Sequence, residues 1–315
     1  MGIKKISELE ELEKLKATDV FPVVDNENGT TKKVPASKLY TVLVEKSAGA
    51  HNAIYRGKDI TDLFYNGTLS QQVAAGTFDD VFVGDYIIGK VSKRKYIVAD
   101  LDYRLHMGDT ECTTHHILMI PERIMGTAAM NDSHVTTGGY VGSKMYTTNL
   151  TPFKTVIKND FESGHILKHK NILTNAVTNG YASAGAWYES EIELMNENMV
   201  YGAPIFTNIT NGTAVPYNYT IDKSQLSLFR LRHDLTVALN DSGDRYWYWL
   251  RDVVSSSNFA NVNNNGNANN NSAGNSNGVR PDFTTHTIIW TSFHSVEMGK
   301  GKERLSIQFV KIDKC

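Results

Sequence analysis

The first residues of the chain mix charged and apolar positions at helical spacing. Within residues 1–16 an apolar residue recurs every third position, which predicts a short charged helix with one apolar stripe made by Ile6, Leu9, Leu12 and Leu15. Two strand-like runs then flank Asn28-Gly29, a dipeptide that favours a hairpin turn, and a helical turn is predicted from Ser37. Because the composition changes near residue 50, we predict a small β-rich module over residues 1–48. A linking or trimerising segment is predicted over 49–75.

From Gly76 onward, short β-rich runs are broken by Gly and Asp turns. Two segments, 143–161 and 189–202, carry apolar residues at helical spacing. Strands and helices do not alternate regularly, so the pattern predicts an α+β domain over residues 76–315 rather than a doubly wound sheet. Near the end, residues 287–290 and 305–310 resemble two strands around a turn at 299–302.

Composition limits the classes of partner. The chain has 315 residues, of which 41% are hydrophobic, enough to bury a core. A formal net charge of -2 provides no clustered basic face, so we expect no nucleic-acid ligand. The charged N-terminus and the absence of any run of about 18 apolar residues lead us to expect neither a signal peptide nor membrane insertion. Two cysteines, Cys112 and Cys315, cannot form a disulfide framework or a four-thiolate zinc site.

Residues 258–277 are about half asparagine, unlike the rest of the chain. Asparagine has low helix and strand propensity, which predicts a loop or a very irregular strand. A disordered linker is the alternative. The flanking runs YWYWLRDVV and GVRPDF are rich in core-forming residues. We therefore favour a loop held at both ends by one rigid body, as binding loops usually are.

Asparagine suits a recognition surface, because its short side chain offers both donors and acceptors. The preceding Tyr-Trp-Tyr-Trp run could add rigid aromatic contact area, although alternation predicts that two of the four rings point inward, and we assign Trp249 and Leu250 to the core. The candidate ligand contacts are Tyr246, Tyr248, Asn258, Asn261, Asn263, Asn264, Asn265, Asn267, Asn269, Asn270, Asn271, Asn275 and Asn277.

With its WLR and GVRP motifs, the stretch over residues 246–281 resembles the variable region of proteins diversified by diversity-generating retroelements. In that family, adenines of a template repeat are mutated during copying. Asparagine codons begin with two adenines, which explains the composition. The resemblance implies a C-type-lectin-like domain, related to the formylglycine-generating-enzyme type, with the variable residues facing the ligand.

Blocks upstream, such as HNAIYRGKDI and TTGGYVGSKMYTTNL, resemble phage and prophage proteins of gut Firmicutes, and residues 1–48 resemble the attachment segment of phage fibre proteins, which are commonly trimeric. The resemblance implies a virion-displayed homotrimer that binds a host cell-surface receptor, protein or glycan, and joins other virion proteins through residues 1–48. Two alternatives stay open: a cell-wall-acting enzyme of the same fold family and a structural capsid decoration. Residues 282–315 depart from the family, whose chains commonly stop soon after GVRP.

A group of metal-binding or nucleophilic residue types lies between positions 106 and 116. Its spacing fits no standard zinc pattern, since neighbouring residues on a strand face opposite ways, and a Cys close to a His is a weak catalytic signal. Formylglycine-generating enzymes use cysteines late in the chain, and only the terminal Cys315 follows Cys112 here. We expect no metal, no cofactor and no enzymatic activity. The group comprises His106, Asp109, Glu111, Cys112, His115 and His116; Asp241, Asp244 and Asp252 lack a calcium-lectin motif.

Overall fold

The computed structural model describes residues 16, 18–25, 28–36, 48–207, 224–286, 291–292 and 309–310. Over these residues the protein is a mixed α/β structure made mostly of sheets with few helices. The coarse fold prediction is therefore confirmed. Several predictions fall outside the described residues: the helix over residues 1–16 apart from Lys16, the turn from Ser37, the turn at 299–302, and Cys315.

Two five-stranded sheets and several hairpins make up the β structure. The first sheet has the order β3-β4-β5-β16-β9, and the second sheet has the order β14-β13-β12-β15-β6. All neighbours are antiparallel except β12 and β15. The strands are β1 Val20–Asp25, β2 Thr30–Pro35, β3 Tyr86–Ile88, β4 Lys95–Leu101, β5 Ile117–Pro121, β6 Thr127–Ala129, β7 His169–Thr178, β8 Tyr181–Ser190, β9 Ile192–Leu194, β10 Ala238–Leu239, β11 Arg245–Tyr246, β12 Tyr248–Val253, β13 Asn258–Val262, β14 Ala268–Ser272, β15 Ser276–Gly278, β16 Pro281–Thr285, β17 Thr291–Ser292 and β18 Phe309–Val310.

The helices of the described residues are short. A π-helical turn over Met145–Asn149 precedes the α-helix Thr151–Phe161, the longest of them, so the helix predicted over 143–161 is confirmed. Among the described residues no helix is long and apolar enough to cross a membrane. The α-helices are α1 Ala48–His51, α2 Thr61–Tyr65, α3 Thr68–Ala75, α4 Thr151–Phe161, α5 Glu197–Tyr201 and α6 Ser227–Leu231, and short 3-10 turns cover Ser163–His165 and His233–Thr236.

The helix predicted over 189–202 is wrong in its first half. Ile192–Leu194 instead forms β9, the edge strand that pairs with β16, and all three of its residues are buried. Pairing in the sheet overrides the local helical spacing of the apolar residues. A helix begins only after Asn196, whose side chain accepts the Met199 N–H at 2.8 Å as an N-cap.

Three apolar layers cover the two sheets. One lies between them and contains Ile97 and Ala99 of β4 together with Tyr248 and Val262 of the second sheet. Another covers the outer face of the first sheet with α3 and α4. The last covers the outer face of the second sheet with the β7–β8 hairpin and the π-helical turn. Both faces of the second sheet are therefore buried over its centre.

Segment 49–75, for which we predict a linking or trimerising role, contributes side chains to the folded core. Ile60, Leu69 and Val73 are almost fully buried in the layer that also holds Phe283 of β16. Helical turns in this segment present these apolar side chains to the first sheet.

The N-terminal hairpin confirms its turn prediction. The β1–β2 strands pair in register around Asn28-Gly29, with Gly29 at a φ of 61°. Near the end of the chain, β17 pairs with β18, whereas the strand predicted over 287–290 and the turn predicted at 299–302 lie outside the described residues.

Candidate binding surface

The asparagine-rich segment forms a regular hairpin of β13 and β14. Five consecutive residue pairs join the two strands, so the expectation of a loop or very irregular strand is wrong for this part. Asn263 shapes the turn, because its side-chain oxygen accepts the N–H groups of Asn265 at 2.9 Å and Asn267 at 3.0 Å. Gly266 has a φ of 85°, and a Cβ there would collide with the Thr236 hydroxyl. Sheet pairing and turn chemistry together overcome the low strand propensity of asparagine.

The ladder determines which backbone groups of β14 face outward. Asn263 N–H donates to Asn267 O at 2.9 Å, and hydrogen-bonded pairs alternate with non-hydrogen-bonded pairs along an antiparallel ladder. Counting residue pairs from the hydrogen-bonded pair Asn263–Asn267, Asn270 and Ser272 belong to non-hydrogen-bonded pairs. Since β14 is the last strand of the second sheet, their N–H groups point away from β13 into an open edge.

Asparagine side chains close this edge. Asn269 Oδ1 accepts the N–H of Asn270 at 2.7 Å, and Asn271 Oδ1 accepts the N–H of Ser272 at 2.9 Å. Open edge strands otherwise invite pairing with another chain. Asn269 and Asn271 therefore serve the fold of the strand as well as its surface.

On the neighbouring face of the hairpin, polar side chains bond to one another. Asn258 Nδ2 donates to Asn270 Oδ1 at 2.7 Å, and the Ser272 hydroxyl donates to Asn258 Oδ1 at 3.3 Å. All three residues are half-buried. This part of the surface is held in one arrangement by its own hydrogen bonds.

Two of the predicted contact asparagines are buried. Asn261 has no exposed surface and lies opposite Trp249, and neither amide atom has a hydrogen-bond partner among the described residues. Asn277 is also buried; its oxygen accepts from Asn271 Nδ2 at 3.4 Å, while its own Nδ2 has no described partner. Because both faces of the second sheet are covered, strand alternation does not bring these side chains to solvent.

Two of the four rings in the Tyr-Trp-Tyr-Trp run are buried, the number predicted, but they are the adjacent Tyr248 and Trp249, so the prediction of Tyr248 as a ligand contact is wrong. Tyr248 lies fully in the layer between the sheets, where its hydroxyl donates to Thr236 O at 3.0 Å, and burial raises its pKa. A ligand therefore cannot reach it. Trp249 and Leu250 are fully buried, which confirms their predicted place in the core. Tyr246 is half-buried and lines a cavity of about 270 Å³.

The exposed asparagines lie at the two ends of the hairpin. At the turn, Asn265 and Asn267 are exposed and Asn264 is half-buried, and none of the three side chains makes a hydrogen bond to a described residue. At the opposite end Asn275 is exposed, and its Nδ2 donates to Asn271 Oδ1 at 2.7 Å. The turn thus presents amides that have no role in holding the hairpin.

Two buried arginines in the flanking motifs anchor the hairpin. Arg280 of GVRP donates to the carbonyls of Pro121 at 3.0 Å, Leu235 at 3.1 Å and Glu122 at 3.3 Å. Arg251 of WLR donates to Leu194 O at 2.9 Å. These contacts tie both flanks of the asparagine segment to neighbouring elements.

The sequence gives no signal for the loop at 133–136, which packs beside Gly274. Thr136 bonds to the carbonyls of Ser255 and Ser256, and the exposed side chain of Val135 lies next to it in sequence. The β7–β8 turn also approaches, with Gly180 packed against Ser256. These segments are far apart in the chain, and only the Asn179-Gly180 turn dipeptide signals one of them.

The 106–116 group does not converge on one point. His106 pairs with Glu111 at 2.6 Å in an exposed loop, whereas His115 pairs with Asp102 at 2.7 Å. His116 is fully buried, accepts the Arg104 N–H, and has its pKa lowered by burial to about 4. Cys112 is buried. In the described part of the chain, no set of three or more His, Cys, Asp or Glu side chains could hold a metal ion.

The fold and the surface define the class of the protein only coarsely. It is a mostly β protein in which a sheet presents a polar hairpin turn. A family model described as Domain of unknown function (DUF6273) matches residues 167–286. This region begins just before β7 and ends just after β16, so it includes the asparagine hairpin and both anchoring arginines. No curated protein and no solved structure matches the chain.

Proposed function

We propose that the protein is a receptor-binding protein of a phage virion, with a C-type-lectin-like domain that presents a diversified surface. The observation that carries the proposal is the hairpin turn: its backbone is fully organised, while the side chains of Asn264, Asn265 and Asn267 have no described partner. A rigid frame with uncommitted polar side chains suits a site whose residues vary while the fold stays the same.

The buried frame supports the same function. Arg251 and Arg280 hold the flanks through backbone carbonyls, which do not change when side chains are replaced. The turn and Asn275 can therefore differ between copies without loss of the anchors. Diversification by a retroelement acts on such positions, and the ligand is a host cell-surface protein or glycan.

Attachment and valency complete the proposal. Residues 1–48 join the protein to other virion proteins, and three copies form the functional unit. Several weak sites on one particle bind a cell surface tightly, because linked sites raise the effective concentration of one another. Sedimentation velocity of the full chain is expected to give the mass of a trimer.

The binding role is tested with labelled protein and intact cells of gut Firmicutes strains. The variant Asn264→Ser/Asn265→Ser/Asn267→Ser is expected to lose cell binding while its circular dichroism and unfolding midpoint stay unchanged. A matched control, Asp109→Ser/Glu111→Ser, alters an exposed loop elsewhere and is expected to bind normally. Unchanged binding by the turn variant contradicts the proposal and favours a structural decoration.

The diversification role is tested in the neighbouring DNA. A near-copy of the region coding for 246–281 should lie next to a reverse-transcriptase gene and differ from it chiefly at adenines. A genome in which both are missing overturns this part of the proposal.

A further inference from the structure

A second candidate site lies outside the asparagine hairpin. A groove of about 380 Å³ is lined by four cationic and two acidic side chains: Lys93, Arg94, Lys95, Arg123, Glu122 and Asp241. They come from the β3–β4 turn, the start of β4, the residues after β5 and the β10–β11 turn. None of them belongs to residues 258–277.

The two carboxylates of the groove are already paired. Arg94 binds Asp241 through two contacts of 2.7 Å and 3.0 Å, and Lys95 lies 2.8 Å from Glu122. The pKa of Asp241 is lowered by its hydrogen bond to Arg94. Lys93 and Arg123 pair with no described carboxylate, so the groove keeps an excess of positive charge.

Arg123 is held in position for an anion. Its Nη1 donates to the carbonyls of Asn240 at 3.0 Å and Asp241 at 3.1 Å, while Nε and Nη2 make no hydrogen bond to a described residue. A guanidinium fixed by one nitrogen presents its other donors without further ordering, and its planar fork matches a carboxylate or phosphate.

Lys93 faces the same groove from the β3–β4 turn. Its backbone has a φ of 59°, in the left-handed region, and its Nζ donates to Lys90 O at 2.8 Å. An ammonium group has three donors, so others stay available. Lys93 and Arg123 thus provide two cations in one concave site.

An aromatic cavity adjoins the basic groove. It holds about 270 Å³, shares Asp241 with the groove, and is lined by Tyr246, Thr127 and Asn240 among others. A half-buried tyrosine beside hydroxyl and amide groups can pack against a sugar ring and bond to its hydroxyls. Together, the two cavities provide an aromatic surface for a sugar ring and cationic side chains for an acidic group on that sugar.

We propose that these adjoining cavities bind an anionic carbohydrate, with its carboxylate or phosphate on Arg123 and Lys93 and its sugar ring against Tyr246. The site goes beyond the proposed function, since its cationic residues Arg123 and Lys93 lie outside the diversified region 246–281 and only Tyr246 lies within it. Its charge recognises a class of polymer, whereas the turn recognises a particular receptor.

Isothermal titration of the full chain tests the proposal with three probes. Tetragalacturonate supplies carboxylates, an oligomer of glycerol phosphate supplies phosphates, and maltotetraose is neutral. We expect binding of at least one anionic probe, weakening as salt is added, and none of maltotetraose. Whichever anionic probe binds more tightly identifies the charged group. Equal binding of maltotetraose, or binding of no probe, overturns the proposal.

Variants locate the site. Arg123→Gln is expected to weaken binding of the anionic probe about tenfold or more, which is the contribution of one charge-assisted hydrogen bond. Lys93→Gln, at an exposed side chain, gives a second test that does not depend on the backbone contacts of Arg123. Lys168→Gln removes an exposed charge elsewhere and is expected to bind normally. If both groove variants bind like the parent, the groove proposal fails while the hairpin proposal stands.

Discussion

At the scale of single residues, Arg280 shows how the fold holds a charge in its interior. The side chain is almost fully buried, and its guanidinium donates to three carbonyls while lying 5.3 Å from the Tyr248 ring centre. A buried charge is tolerated only when its donors are satisfied, and here backbone oxygens and an aromatic face do this. Arg280 thereby ties the end of the asparagine segment to β5 and to the turn before β10.

Replacing Arg280 is expected to destabilise the protein severely. Arg280→Met removes three hydrogen bonds to carbonyls, so the free energy of unfolding should fall by about 3 kcal/mol or more. Urea denaturation measures the loss. Arg245→Met, at an exposed arginine, is the control and should change stability by less than about 0.5 kcal/mol. Similar losses in the two variants would argue against the anchoring role.

Asn261 is the reverse case, a polar side chain whose burial costs stability. Both amide atoms lack a described partner, and burying an unsatisfied amide costs about 1–3 kcal/mol. Asn261→Val removes that cost, so we expect an increase in the free energy of unfolding of about 1 kcal/mol. Asn265→Val at the exposed turn should have little effect. A loss of stability in Asn261→Val would show that the buried amide stabilises the fold, contrary to this expectation.

At the scale of elements, β14 shows why asparagine suits a half-buried edge strand with an open edge. Its short side chain reaches the next backbone N–H, as Asn269 and Asn271 do, and so blocks an outward donor. A longer apolar residue at either position would leave the donor free. The same residue type therefore provides recognition at the turn and protection along the strand.

Removing the amide side chains of Asn269 and Asn271, which cap the outward N–H groups of β14, should expose the open edge of that strand. We expect Asn269→Ala/Asn271→Ala to self-associate more readily than the parent, because the freed N–H groups of β14 can pair with a second strand. Light scattering over a concentration series measures this. Asn264→Ala/Asn265→Ala, with the same loss of amides at the turn, should behave like the parent. Equal association of the two variants would mean that the caps do not protect the edge.

At the scale of the whole molecule, buried histidines make stability depend on pH. Burial lowers the pKa of His116 to about 4 and that of His169 well below its ordinary value. Each imidazole binds a proton more readily in the unfolded chain than in the folded one. The contribution of the two neutral imidazoles to the free energy of unfolding is complete above pH 6.5. It is lost as pH falls through the pKa of each histidine in the folded protein. Asp100 has the opposite effect on the pH dependence of stability, since burial raises its pKa to about 6.

We expect His116 to account for about 3 kcal/mol of the stability lost between neutral pH and pH 4. His116→Gln keeps a donor for Thr114 O and an acceptor for Arg104 N–H but does not titrate. Its unfolding free energy should therefore fall less steeply with acid than that of the parent. His134→Gln, at an exposed histidine, should follow the parent curve. Parallel curves for all three proteins would contradict this assignment.

The sequence by itself determined the mostly β character of the domain, the Asn28-Gly29 hairpin, the helix at 151–161 and the core positions of Trp249 and Leu250. These follow from local turn chemistry and from the spacing of apolar residues. Only the tertiary structure decided that the asparagine segment is a strand hairpin, that segment 49–75 joins the core, and that Tyr248, Asn261 and Asn277 are buried. The physical reason is that apolar layers cover both faces of the second sheet, so alternation along one strand cannot distinguish a buried face from an exposed one.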